Sequence, residues 1–451
     1  MFSVRDLFKL ILPMIIQQVL TITVSTVDSM MVAGAGEAAV SGVSLVGALD
    51  AILVIAFASI VTGGTVAVSH ALGDGDHRFS RECAKQLLWI STIIALLIAV
   101  IVGVFRQPIL RLLFGGADAD VLYHANGYLG ILLLSFPFLA IYSSGDAIFR
   151  TMGDTVTGMW LSFTANIINV AGNALFIYVL HMGAAGAAAA TLIARVVCSV
   201  VFLIKLRSRK NVIYLENPLQ YRPNLPVIKK MLRIGVPHGI ESSMFQFGRL
   251  STQVLISAMG TAAIAANSVA NTLATYLYLP ANSIDNAAIT VVGRCFGARE
   301  TEQAKKYARM LLGWTYLCMW AVSVLLFILA RPIIGIYNLS AEGAKIAFDL
   351  TVFHCIVTSL VRPPAFSLPA VFKAAGDAKY TMIVSTASMW IVRVGLAFIL
   401  APETVQIFSL SFPGLNMGIM GVWVAMGADW VVRAALYFVR FVRGTWLRAK
   451  I

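Results

Sequence analysis

Gly36-Glu-Ala-Ala-Val-Ser-Gly-Val-Ser44 returns 224 residues later as Gly260-Thr-Ala-Ala-Ile-Ala-Ala-Asn-Ser268. The same shift carries Pro13 onto Pro237, Ser59-Ile60 onto Ser283-Ile284, Gly73 onto Gly297, Leu87-Leu88 onto Leu311-Leu312 and Pro108-Ile109 onto Pro332-Ile333 without a gap. At a shift of 223, Arg150-Thr-Met-Gly-Asp154 meets Lys373-Ala-Ala-Gly-Asp377, and Asp146 meets Pro369. Past a longer loop in the second half, Met182-Gly183 and Gly186 meet Met417-Gly418 and Gly421. The chain is one unit written twice. Two copies of a membrane unit in one polypeptide are the plan of secondary transporters, with the working site expected between the copies.

That the unit belongs in a membrane follows from composition. Hydrophobic residues make up 59% of the chain and charged residues 12%, about half the charge of a soluble domain; mean hydropathy is +0.84. Apolar stretches long enough to cross hydrocarbon recur at about 10–33, 43–70, 85–105, 122–149, 158–181, 184–205, 231–259, 265–292, 309–330, 346–371, 381–401 and 417–440. They must be helices, because lipid satisfies no free backbone group. The expected fold is therefore an all-α integral membrane protein with twelve transmembrane helices in two pseudo-symmetric six-helix lobes. The expected boundaries are 1–205 for the first lobe, 206–230 for a cytoplasmic linker containing Pro223 and Pro226, and 231–451 for the second lobe. Six spans per copy is an even number, so both copies enter from the same side as parallel repeats.

Charge orients the whole. With both termini cytoplasmic, the inner segments hold 25 lysines and arginines, Arg5 through Lys450, and the outer segments hold only Arg106, Arg111, Arg331 and Lys345. This is the positive-inside pattern. The net charge of +13 then reflects topology and attraction to anionic lipid, not a nucleic-acid footprint. The first apolar stretch is too long, and too acidic at Asp28, for a cleavable signal. The five cysteines and six histidines form no CxxC, Cys/His or HExxH spacing, and no Walker-type loop is present. Energy is expected from an ion gradient or from the substrate's own gradient.

Polar residues inside the spans are costly, and they default to function. Asp28 sits mid-way along the first span beside Thr21, Ser25 and Ser29. A carboxylate at that depth carries a proton or holds a cation. Asn166, Asn169 and Asn173 lie on the fifth span, the last two one turn apart, and Thr191 lies on the sixth. Amide and hydroxyl oxygens suit a hard cation when a carboxylate supplies the charge; they are equally the residue types that glue membrane helices together. The second copy has Thr252 at the place of Asp28. Glu241, the partner of Gln17 by repeat, follows Pro237 and Gly239, which are expected to interrupt the helix and free carbonyls to line a cavity. Arg195, Arg249, Arg362, Arg393 and Arg433 are the intramembrane cations. They read either as structural partners of Glu241, Asp285 or Asp429, or, for Arg249 and Arg393, as a cationic second-lobe cavity for an anionic group. Gln17, Glu241, Arg249, Asp285 and Arg393 together form the candidate substrate cavity. Pro363, Pro364 and Pro369 break the tenth span.

Across residues 8–440 the chain resembles the multidrug and toxic compound extrusion (MATE) transporters of the MOP flippase superfamily. The segments that carry the resemblance are Val27-Asp-Ser-Met-Met-Val-Ala-Gly34, Gly153-Asp-Thr155, Asn169-x-x-x-Asn173, Gly183-Ala-Ala-Gly-Ala-Ala-Ala-Ala-Thr191, Gly260-Thr-Ala-Ala-Ile-Ala-Ala-Asn267 and Val291-Val-Gly-Arg-Cys-Phe-Gly297. The resemblance implies a two-lobed exporter that alternates access and exchanges a substrate for Na⁺ or H⁺, with no other cofactor. It implies a first-lobe cation or proton site at Asp28, Asn169 and Thr191, with Na⁺ as the possible metal. Many members have an acid where Asn173 stands. It further implies a small organic substrate, amphipathic and cationic or zwitterionic, and a monomer in the inner membrane of a prokaryote rather than an enzyme. A lipid-linked precursor flippase of the same superfamily is the alternative, and Arg249 and Arg393 are what favour it.

Overall fold

A computed structural model describes residues 2–216, 221–407 and 410–448. Residues 217–220 of the linker and Lys450 lie outside them. The described chain is helical apart from one antiparallel hairpin. In order it runs α1 (Val4–Ala33), α2 (Glu37–Gly73), α3 (His77–Val104), α4 (Arg106–Phe114), α5 (Ala119–Leu134), α6 (Phe136–Met152), α7 (Thr155–Asn173) and α8 (Gly183–Leu206). The second copy continues with α9 (Leu225–Ser257), α10 (Thr261–Gly297), α11 (Thr301–Ile336), α12 (Ala341–Arg362), α13 (Leu368–Ala374), α14 (Ala378–Ala387), α15 (Gly395–Leu400) and α16 (Gly418–Arg443). Strands β1 (Thr404–Ile407) and β2 (Leu410–Pro413) fill the longer second-half loop.

Among the described residues, nine helical stretches are long and apolar enough to span a membrane; α5 and α6, bent by 47° at Ser135, make a tenth. Helices α9 and α10, at 33 and 37 residues, are long enough but carry Glu241, Arg249, Asn267, Asn271, Asn282 and Asp285. With them the count is twelve. The bend at Ser135 has a local cause: Pro137, in the first turn of α6, has no N–H and crowds the carbonyl four residues back. Pro237 differs from expectation. It lies inside an unbroken α9, so no interrupted segment precedes Glu241. The prolines of the tenth span do act: Pro363–Ser367 is π-helical between α12 and α13. Two further π-helical stretches, Ala174–Val179 and Ser388–Val394, close α7 and join α14 to α15.

The repeat is visible in the turns. Gly36 and Gly260 have φ of 104° and 92°, and Gly153 and Gly376 have φ of 94° and 92°. These are left-handed conformations that glycine adopts without steric cost. After Gly153, Asp154 caps α7 by accepting from the Thr157 N–H at 3.0 Å.

The chain forms two compact units, Met1–Gly239 with Gly293–Arg299, and Ile240–Val292 with Glu300–Ile451. The division is not at the linker, as the sequence suggested, because the first unit also takes in the start of α9 and the end of α10. Glycine makes this packing possible. A Cβ on Gly73 would strike the Arg294 carbonyl, and one on Gly297 would strike the His70 carbonyl. The linker packs too. Ile213 and Leu215 are buried in the first unit's core, Tyr221 stacks on Trp89 at 5.1 Å, and Gln86 donates to the Arg222 carbonyl at 2.7 Å. In the first unit α1 packs on α7, α2 on α3 and α5, and α8 on α5, α6 and α7. The alanine and glycine run of α8 lets its neighbours approach closely: Gly186 faces Phe176 at a spacing that leaves no room for a side chain. In the second unit α16 packs on α12, α15 and both π-helical stretches.

Candidate functional site

The first unit encloses a cavity of 290 Å³ lined by, among others, Thr21, Ser25, Asp28, Asp50, Tyr128, Asn166, Asn169, Thr191 and Arg195. Five helices supply these side chains: α1, α2, α5, α7 and α8. Asp28 Oδ1 accepts from Asn173 Nδ2 at 2.5 Å. Because a carboxylate only accepts, the amide orientation is fixed, and Asn173 Oδ1 is left buried without a partner among the described residues. Asn169 Nδ2 donates to Thr191 Oγ1 at 3.2 Å, which leaves Asn169 Oδ1 equally unpartnered. Asn166 serves packing as well as lining, since its Nδ2 donates to the Leu20 carbonyl at 3.0 Å. Thr21 and Ser29 donate to their own helix; of Thr21, Ser25 and Ser29, the first two line the cavity.

The structure therefore brings Asp28, Asn169, Asn173 and Thr191 into one neighbourhood, and it adds two charges. Asp50 is not singled out by the sequence reading, although an acid within Gly47-Ala-Leu-Asp50-Ala-Ile-Leu-Val was signal enough. Its Oδ1 is buried without a hydrogen bond among the described residues. Arg195 reaches in from α8 and is anchored at the bend, where its Nη1 donates to Ser135 Oγ at 2.6 Å. Among the described residues no cationic side chain lies within 4.0 Å of Asp28 or Asp50. The cavity thus holds two carboxylates and one guanidinium, and it is one positive charge short when both acids are ionised. A hard monovalent cation or a proton fits that deficit, with the amide oxygen of Asn169 and the Thr191 hydroxyl, both on the cavity wall, as neutral ligands. Among the described residues no cluster of histidine, cysteine, aspartate or glutamate has the makings of a transition-metal site.

The expected second-lobe cavity comes apart. Gln17 belongs to the first unit and donates to Asp146 Oδ1 at 3.2 Å; Asp146 also pairs with Arg150 at 3.6 Å. Glu241 meets Lys373 at 2.9 Å and accepts from Ser385 Oγ at 2.9 Å. Asp285 faces Arg362 at 4.0 Å, and Asp429 is held by Arg433 at 2.7 Å and Ser388 at 2.6 Å. Each of these acids faces a cation, because an isolated buried charge is too costly, and Gln17, Glu241 and Asp285 do not line the pocket that holds Arg249 and Arg393. Arg249 and Arg393 remain together. They share a pocket of 50 Å³ with Thr252, Gln253, Asn267, Asn271 and Trp423, and among the described residues neither has a carboxylate within 4.0 Å.

Two repeats of six spans, each with its own polar pocket, define a multi-pass membrane transporter. The MatE family profile matches residues 13–175 and again 237–399, the same 224-residue offset as the internal repeat, and the chain belongs to that family. It is 25% identical to the uncharacterized transporter YisQ of Bacillus subtilis, over 98% of this chain and 95% of that one. To the probable multidrug resistance protein NorM of Thermotoga maritima it is also 25% identical, over 98% and 93%. Its fold matches that of an outward-facing multidrug resistance MATE family transporter of the MOP superfamily with a TM-score of 0.87, at 21% identity and over 99% and 96% of the two chains. A MOP superfamily transporter from Pyrococcus furiosus, described as having a binding pocket of reverse polarity, matches with a TM-score of 0.85 at 21% identity, over 99% and 96%.

Proposed function

We propose that this protein is a secondary active exporter that trades an organic amphiphile for one H⁺ or Na⁺ per cycle, with Asp28 as the group that exchanges its occupant. The observation that carries this reading is the charge deficit of the first-lobe cavity: Asp28 and Asp50 against Arg195 alone. A cation entering from outside cancels the deficit and draws Asp28, Asn169 and Thr191 together. That rearrangement is made to lower substrate affinity, and loss of the cation to the cytoplasm restores it. Coupling needs only that the two ligands bias one two-state element in opposite directions. The bend at Ser135 is suited to be that element, because Arg195 links it directly to the cavity. The loop charges and the names of the relatives support a prokaryotic plasma membrane with both termini inside and a multidrug substrate range.

The test is transport in inside-out vesicles of a panel of fluorescent cationic, zwitterionic and anionic amphiphiles, driven by a pH gradient or by a Na⁺ gradient. Asp28→Asn is expected to abolish driven transport at an unchanged level of folded protein, and the gradient that drives the parent identifies the ion. Equal driven transport by Asp28→Asn and the parent would show the assignment to be wrong. Arg249 and Arg393 are also what a lipid-linked precursor flippase would need; movement of a fluorescent polyprenyl pyrophosphate in proteoliposomes, with none of the amphiphile panel, would select that reading.

A further inference from the structure

The two lobes carry their polar pockets at matching places in the repeat. The first-lobe cavity runs past Ser25, Asp28, Asn169 and Thr191, and the second-lobe pocket runs past Arg249, Thr252, Arg393 and Met426. The 224-residue shift lays Ser25 on Arg249 and Asp28 on Thr252, and the later shift of 235 lays Thr191 on Met426. Arg393 stands in the π-helical stretch Ser388–Val394. The extra residue that a π turn inserts moves the local register from 223 to 224 and brings Arg393 onto Asn169. The second pocket is the counterpart of the cation site with its polarity inverted.

Hydrogen-bond direction points the same way. Trp423 Nε1–H can only donate, and it donates to Asn267 Oδ1 at 3.1 Å. Asn267 must then turn its Nδ2 away, and this donates to Gln253 Oε1 at 3.3 Å. With that oxygen taken, Gln253 offers its NH₂. The chain of three side chains ends in a donor beside two guanidiniums. Arg393 is 8% exposed, and its Nε is buried without a hydrogen-bond partner among the described residues. Asp429, on the adjacent α16, is the one carboxylate that acts on Arg393, and its Oδ1 is already held by Arg433 and Ser388. One carboxylate shared by two guanidiniums leaves a positive charge that is costly to bury; an anion arriving from outside reduces that cost.

We infer that this pocket receives a carboxylate, and that the carboxylate belongs to the transported molecule, so that the substrate is an amphiphile with an anionic end rather than a simple organic cation. This deepens the transport reading and rests on it. A volume of 50 Å³ is far below the roughly 300–1,000 Å³ that encloses a whole drug-sized ligand; the pocket grips one functional group while the apolar body lies outside it. The guanidinium fork of Arg393 matches a carboxylate in two-point geometry, with Arg249, an exposed residue, at the mouth.

Rhodamine 110 and rhodamine 123 test this, because they share one xanthene cation and the second is the methyl ester of the first's carboxylate. Binding is measured by fluorescence polarisation on the full chain in lipid nanodiscs, without a gradient, in methanesulfonate and in chloride buffer of equal ionic strength. The acid is expected to bind roughly tenfold or more tighter than the ester in both buffers. Arg249→Gln and Arg393→Gln each bring that ratio toward one, and Arg393→Lys keeps part of the preference. Equal binding of acid and ester by the parent overturns the inference, as does a preference that survives Arg249→Gln, an exposed position whose replacement the fold tolerates. A preference seen in methanesulfonate and lost in chloride also overturns it, by assigning the pocket to a free inorganic anion. Asp28→Asn is expected to keep the acid preference while losing driven transport, so failure of the anion pocket and failure of the coupling reading are separately visible.

Discussion

Replacing Glu241 by Gln tests whether the Glu241–Lys373 contact is a packing device or a cavity acid. The ammonium and carboxylate are 2.9 Å apart, with side chains only 9% and 13% exposed. Removing one member of such a pair costs about 3–5 kcal/mol. The lower end applies here, because Gln keeps an acceptor oxygen for the Ser385 hydroxyl that now donates to Glu241. For a lobe of this size about 3 kcal/mol corresponds to a fall in Tm of roughly 6–12 °C. The first lobe supplies a rescue. There Gln17 stands where Glu241 stands, Asp146 where Pro369 stands, and Arg150 where Lys373 stands; the acid sits four residues before its cation on one helix, and the pair meets at 3.6 Å. Pro369→Asp in the Glu241→Gln background copies that arrangement and is expected to restore at least half of the lost Tm. Pro369→Asp alone crowds two acids onto Lys373 and is expected to lower Tm. The measurement is thermal unfolding of the purified protein followed by intrinsic fluorescence. Glu241→Gln with an unshifted Tm, or a double variant whose losses simply add, would refute the reasoning.

Three further outcomes are expected. Asn173→Ala removes the donor that holds Asp28 at 2.5 Å; with nothing competing for the carboxylate's charge, the transport-against-cation curve should move to lower cation concentration by about tenfold or more, and a curve that does not move would exclude Asn173 from the site. Gly297→Ala places a methyl group against the His70 carbonyl and should cost about 1–3 kcal/mol in thermal unfolding, whereas Gly313→Ala, with nothing within 4 Å, should be neutral or stabilising by up to about 1 kcal/mol. Trp89→Ala removes the ring on which Tyr221 stacks and should speed chymotryptic cleavage after Tyr221 severalfold, read by gel; an unchanged rate would mean that the linker is held elsewhere.

Much of the architecture was legible because the repeat and the apolar runs are local properties of the chain. The turn glycines at 36, 153, 260 and 376 could be picked out by superposing the two halves, and each has the positive φ that explains its presence in both. Asp28, Asn169, Asn173 and Thr191 could be named because a polar side chain in an apolar run stands out. Their pairing could not, because it depends on the rotation of α1, α7 and α8 about their axes, which hydropathy does not encode. The same holds for Glu241 and Lys373, 132 residues apart, and for the Arg195–Ser135 anchor. Pro237 misled: a proline can sit inside a long helix when the surrounding lobe supports it, so its presence alone did not locate an unwound segment.

The two halves differ in a way that separates packing from binding. Where charge serves packing, the repeat moves it but keeps the sum. The acid of the Gln17–Asp146–Arg150 group has crossed from α6 to α9 in the Glu241–Pro369–Lys373 group, and each group holds one acid and one base. Where charge lines a pocket, the sum is not kept. One pocket has two acids to one base, and its counterpart has two bases and no acid. Nothing in helix packing demands that imbalance, and burying Arg393, its deepest member in the second lobe, is unfavourable. On the function and the inference proposed above, two different ligands supply the missing charges, a cation in the first lobe and a carboxylate in the second. In the proposed cycle the carboxylate of the substrate answers to the basic pocket and H⁺ or Na⁺ answers to the acidic one.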